Sequence, residues 1–80
     1  MTLVQTVARN LGTLRRQQGL TQGDLAQKAR ISVSYVSMLE RSARVPPLPT
    51  LEALARALRV GPSYLLQELA DEKPPRRRKR

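Results

Sequence analysis

The sequence predicts an all-α fold built from five short helices. Two features of composition carry this expectation. Phe and Trp are absent and Tyr occurs twice, while Leu and Ala supply most of the apolar side chains. β-branched residues never gather into the alternating runs that a sandwich or barrel requires. The third observation is periodicity: apolar residues return at spacings of three and four between good capping residues. The chain has 80 residues, enough for one domain. That domain is expected over 1–70, with a disordered basic tail over 71–80.

The first helix is expected over 3–18. Leu3, Val7, Leu11 and Leu14 recur at helical spacing, with Ala8 nearby. Gly19 then stands where a left-handed residue closes a helix. Thr21 opens the second helix, and Thr21-x-x-Asp24 has the spacing of a capping box. Leu25, Ala26 and Ala29 form its inward stripe. Ser32 caps a third helix that runs to about Arg41. Pro46, Pro47 and Pro49 forbid helix over 45–49, so Thr50 is expected to cap the fourth. Leu51, Leu54, Ala55 and Leu58 lie on one face of it. Gly61-Pro62 begins the fifth helix, which Tyr64, Leu65 and Leu69 extend to about Ala70.

Charge decides the class of partner. Fifteen Lys and Arg against six Asp and Glu give +9 at pH 7. Of this, +5 lies in residues 1–70 and +4 in 71–80, where Arg76-Arg77-Arg78-Lys79-Arg80 follows Pro74-Pro75. A surface this basic suits a polyanion, either nucleic acid or an anionic membrane. No apolar run approaches a membrane span and no signal peptide is legible. Aromatic poverty weighs against a single-strand binder that stacks bases. Neither Cys nor His is present. That removes disulfides, thiolate chemistry and the common zinc and haem ligands, so no metal and no cofactor is expected. An enzyme is not expected either, because no nucleophile–base pair assembles without His or Cys and the acids have capping or pairing duties.

Residues 21–41 hold two short capped helices joined by Ala29-Arg30-Ile31. This is the spacing of a helix-turn-helix, whose second helix enters the major groove. Advancing about 100° per residue along the third helix puts Val36 and Leu39 on one side, with Tyr35 and Glu40 flanking. Ser34, Ser37, Met38 and Arg41 fall roughly opposite, with Val33 at the border. The outward face is short, polar and free of acids, so it can approach DNA closely.

A wider pattern surrounds this motif. It runs through Leu14-Arg15-Arg16-Gln17-Gln18-Gly19-Leu20-Thr21-Gln22, Leu25-Ala26, Ile31-Ser32, Val36-Ser37 and Leu39-Glu40-Arg41. It continues in Pro46, Thr50-Leu51, Leu54-Ala55, Ala57-Leu58 and Leu65-Leu66. In these residues the chain, over 11–69, resembles the phage-repressor type of helix-turn-helix regulator, the xenobiotic-response-element family. The resemblance implies a compact five-helix bundle of the lambda-repressor-like DNA-binding type. It implies a transcriptional regulator, most simply a repressor or autoregulator, in a bacterial or phage-infected cytoplasm. Its partner would be double-stranded DNA, read as a homodimer on an inverted-repeat operator.

The resemblance also assigns roles by position. Thr21 and Gln22 match residues that grip phosphate, and Ser32 matches a cap that also touches phosphate. Val33, Ser34, Ser37 and Met38 match positions that face base edges. Arg15 and Glu40 match a partly buried ion pair tying the first helix to the end of the recognition helix. Arg41 and Arg44 match a loop that lies along the sugar–phosphate backbone. Tyr35 is expected to pack its ring and turn its hydroxyl toward phosphate. Three positions depart from the pattern: Gly23 stands where many relatives carry Glu, Ala or Lys, and Ser42 and Arg59 stand where relatives carry Gly. Val33 and Met38 cannot make the bidentate hydrogen bonds that Gln or Arg make with bases, so DNA shape and dimer spacing are expected to supply much of the specificity.

Dimerisation has only a weak local signal in Leu48, Tyr64, Leu66 and Leu69, which equally well complete a monomer's core. Two other functions stay open at this point. One is an antitoxin-type interaction module, with a protein partner and secondary DNA binding. The other is a non-specific architectural DNA binder.

Overall fold

A computed structural model describes residues 1–68. The expected tail over 71–80, Leu69, and the end of the expected fifth helix at Ala70 lie outside the described residues. Within 1–68 the chain forms four α-helices and one 3₁₀ turn: α1 Leu3–Gln17, α2 Gln22–Ala29, α3 Val33–Glu40, α4 Leu48–Ala57 and the 3₁₀ turn Pro62–Leu66. α2 packs on α3 and α4, α1 on α3 and the 3₁₀ turn, and α4 on that turn. Leu11, Leu25, Val36, Leu39, Leu54, Leu58 and Leu65 meet in the middle, all fully buried. These leucines fall where the helical periodicity puts them, and their burial is the main favourable term for so small a bundle.

Helix starts follow local capping chemistry. Thr2 and Thr21 each close a capping box, with Gln5 and Asp24 respectively. Ser32 Oγ accepts the Tyr35 N–H at 3.0 Å and opens α3. α4 departs from expectation. It begins two residues before Thr50, with Pro47 as its cap and Pro49 inside the first turn. The first turn of a helix has no use for its N–H groups, so a proline there breaks no hydrogen bond. Leu51 N–H donates to Pro47 O at 2.9 Å and completes the turn that Thr50 was expected to start.

The five-helix expectation is also corrected. The segment after Gly61 is a 3₁₀ turn of five residues, and Gln67 is already extended. The cause is a buried side chain from α1. Asn10 Nδ2 donates to Leu65 O at 2.8 Å and to Gln67 O at 2.7 Å. In an α-helix the Leu65 carbonyl would accept an N–H four residues on. Here the Asn10 amide takes that carbonyl, and the chain ends its turn against α1.

All four helices stop in the same way. Gly19, Arg30, Ser42 and Arg59 are left-handed, with φ of 73°, 63°, 63° and 62°. The next residue in each case reaches back five positions: Leu20 to Arg15 O, Ile31 to Ala26 O, Ala43 to Met38 O and Val60 to Ala55 O. These are Schellman closures. Leu20, Ile31 and Val60 then fold onto the core, so each stop also adds an apolar contact. Only Gly19 has the residue type that suits this backbone.

Two predictions follow from these contacts. Replacing Ser42 with Gly relieves a left-handed non-glycine residue, and the gain is expected to be about 0.5–1 kcal/mol, read as a higher urea midpoint with an unchanged slope. Asn10→Ala leaves two carbonyls without their donor, and the expected loss is about 1–3 kcal/mol in the same assay.

Candidate nucleic-acid interface

The site is held by one carboxylate. Glu40, the last residue of α3, accepts Arg15 Nε at 2.7 Å and Arg15 Nη2 at 3.2 Å. The pair is nearly enclosed, with side-chain exposures of 13% and 10%. Arg15 Nη1 also donates to Leu20 O at 2.9 Å, at the closure of α1. Glu40 Oε1 takes a third donor, Gln22 Nε2, at 3.1 Å. So one carboxylate joins α1, the start of α2 and the end of α3. Gly12 lies beside it: a Cβ there would sit in ordinary contact with Glu40 Oε1, at 3.6 Å, and would crowd only the end of the Arg16 side chain, at 3.1 Å.

Around this pin the expected DNA-facing residues take up their positions. Val33 and Ser34, on the first turn of α3, are exposed, and Val33 keeps half its surface. Ser37 and Met38, on the next turn, are half-buried, while Val36 and Leu39 turn fully inward. Tyr35 packs its ring against the core. Ser32 is exposed at the helix start. Arg41 and Arg44 project from the following loop, and Arg41 Nη1 lies 3.4 Å from Ser37 Oγ. The outward strip of α3 and its loop therefore carries hydroxyls, one methionine and two arginines, with no carboxylate.

The start of α2 is more constrained than its sequence suggests. Thr21 N–H donates to Asp24 Oδ2 and Asp24 N–H to Thr21 Oγ1, both at 2.9 Å. The Thr21 N–H, and after it the Thr21 hydroxyl, favour the ionised carboxylate and hold the Asp24 pKa below its ordinary value. The Gln22 side chain is turned inward to Glu40. What α2 offers an anion is therefore its first-turn backbone N–H groups at Gln22 and Gly23, which the helix itself cannot satisfy. Pattern reading did not find Gly12 or the Gln22–Glu40 bond. No local signal encodes them, because both depend on how α1 crosses α2 and α3.

With this geometry in place, comparison with known proteins is direct. The helix-turn-helix family model matches residues 11–65. The chain belongs to this family. Its relatives include the immunity repressor protein of Bacillus phage phi105, 41% identical over 63 residues, which cover 79% of this chain and 44% of that protein. They also include y4dJ of Sinorhizobium fredii, an uncharacterised helix-turn-helix-type transcriptional regulator, 39% identical over 74 residues, which cover 92% of this chain and 95% of that protein. The chain thus spans less than half of the phage relative and nearly all of the bacterial one. Among solved structures, the P22 c2 repressor bound to a synthetic operator superposes with a TM-score of 0.73 at 29% identity, covering 78% of this chain and 94% of that one. The match is to the phage-repressor type of helix-turn-helix regulator.

Two outcomes are expected from the bonds at this site. Arg15→Ala strands the Glu40 carboxylate in a nearly closed setting, at an expected cost of about 3–5 kcal/mol, which calorimetry would register as loss of the cooperative transition in a domain this small. Asp24 behaves as a carboxylate with a depressed folded pKa. Its stabilisation is present above its ordinary value and fades as pH falls through the lowered one. The stability difference between the natural chain and Asp24→Asn, followed by denaturation from about pH 7 down to about pH 3, is therefore expected to shrink toward the acid end.

Proposed function

We propose that the chain is a regulator that binds double-stranded DNA by laying α3 in the major groove, and that it represses by occupying an operator. The observation that carries this is the acid-free outward strip of α3, held at a fixed angle to α2 by the Glu40 pin. Val33, Ser34, Ser37 and Met38 face the base edges. The free backbone N–H groups at Gln22 and Gly23, next to the Thr21 cap, hold the phosphates together with Ser32, Tyr35, Arg41 and Arg44. Family membership and the operator-bound P22 c2 repressor support the reading.

The side chains set its limits. Serine hydroxyls discriminate weakly, and Val33 has only a thymine methyl to recognise. Specificity then rests on groove shape, on the two arginines after α3, and on half-site spacing in a homodimer. Of the residues expected at a dimer seam, Leu48 and Leu66 are 75% and 41% exposed and leave apolar surface for a second copy, while Tyr64 packs against the core.

Selection of bound sequences from a random duplex pool tests this. An inverted repeat with half-site centres about one helical turn apart, roughly 34–36 Å, is expected. Enrichment of no motif would sink the operator reading in favour of an architectural binder. Arg44→Ala is expected to weaken binding to selected and random duplexes by a similar factor. It should lower the slope of log affinity against log salt by about 1, as the loss of one phosphate contact requires.

A further inference from the structure

A second basic surface lies where α2 and α4 end. Lys28, Arg30, Arg56 and Arg59 stand around a shallow groove of about 320 Å³, floored by Ala29, Ala53 and Ala57. All four cations are exposed. None makes a salt bridge among the described residues. The nearest acids in sequence are Asp24 and Glu52, each one turn earlier on the same helices, and neither lines the groove.

A plain structural role does not account for this much charge. Cations at helix C-termini neutralise the helix dipole, and two helices end here. Each end carries about half a negative charge, so roughly one positive charge would suffice where four are present. The terminal carbonyls are also already engaged in the Schellman closures of α2 and α4. Lys28 feels the Asp24 carboxylate one turn away, and none of the three arginines makes an ion pair among the described residues.

The groove is also set apart from the α3 surface. Thr21 and Gln22 begin α2, and Lys28 and Arg30 lie at its far end, about 12 Å along the helix. Likewise the loop carrying Arg41 and Arg44 leads into the start of α4, while the groove lies along its second half. A duplex on α3 leaves this groove open.

We propose that the groove between the ends of α2 and α4 binds an acidic segment of a partner protein. Three arginines present planar forks that suit carboxylates. The alanine floor leaves a slot for a small number of side chains, and its methyl groups favour an apolar residue among the acids. A phosphate backbone would use the four cations but makes little use of the alanine methyls, whereas a peptide of mixed acidic and apolar residues engages both. The inference does not depend on operator binding by α3, and its test uses no operator.

The experiment is an NMR titration of the full, DNA-free chain with a synthetic peptide of Glu-Glu-Leu repeats, at about 0.1 M salt. The expected result is saturable shifts of the Ala29, Ala53 and Ala57 amides. Arg56→Glu, and separately Arg59→Glu, should weaken the affinity about tenfold with the helical circular dichroism intact. Arg41→Glu should leave it unchanged. Equal affinity in the natural chain and both groove variants would overturn the proposal and place the peptide elsewhere, for instance on residues 73–80. Movement of the same three amides by a short random duplex, with no competition from the peptide, would overturn it in favour of nucleic acid.

Discussion

The polar contacts that orient α3 meet at the Glu40 carboxylate. It is nearly out of water, and it is tolerable there because three donors reach it. A lone buried carboxylate would be expelled or protonated; one held by a guanidinium fork and an amide is stable and directional. An apolar contact could supply comparable stability and restrict the crossing angle through packing, but only a hydrogen-bonded carboxylate ties the end of α3 to particular donors on α1 and α2. The carboxylate therefore pins the end of α3 to α1 and α2, while the leucine core decides that the helices associate at all.

The same bond explains why the surface beyond α3 is so free of negative charge. The domain has few acids, and each one that could spoil an anion-binding face has a task. Glu40 is turned inward, and Asp24 closes the first turn of α2. The basic residues have the opposite distribution. Arg15 is consumed by the pin, Arg41 and Arg44 flank the outward strip, and Lys28, Arg30, Arg56 and Arg59 collect at the other end of the helices. A chain that looks uniformly basic in composition is divided into surfaces with different geometry.

Four consecutive helices end in left-handed residues, and three of these are not glycine. Such closures let short helices change direction within one or two residues, which an 80-residue chain with a small core needs. The strain is offset by satisfied carbonyls at Arg30, Ser42 and Arg59, and at Arg30 and Arg59 also by the apolar contact that follows. At Arg30 and Arg59 the residue that bears the strain also delivers a cation to the groove, so the strain and the charge arise at the same positions.

Much of this fold was legible in the sequence wherever the governing interaction is local. Thr21 with Asp24, Ser32 with Tyr35, and Gly19 after α1 each act within a few residues, so their spacing alone predicted them. The stripes of α1, α2 and α4 likewise specified the core, except for Leu3, which stays exposed in the first turn of α1. Arg15 with Glu40 was legible only through family resemblance, because its partners are far apart in sequence. The rest needed the three-dimensional structure. Pro49 is harmless in a first turn, so α4 starts at Leu48 and not after Thr50. Asn10 takes the carbonyls of Leu65 and Gln67, so the last segment is a 3₁₀ turn and not a helix. Gln22 turns to Glu40, and four cations gather between two helix ends. The start of α4 is a local effect of first-turn geometry, but in the others the deciding partner comes from a different helix. Local spacing settles which residues begin, end and line a helix, while the crossing of helices settles which polar groups meet.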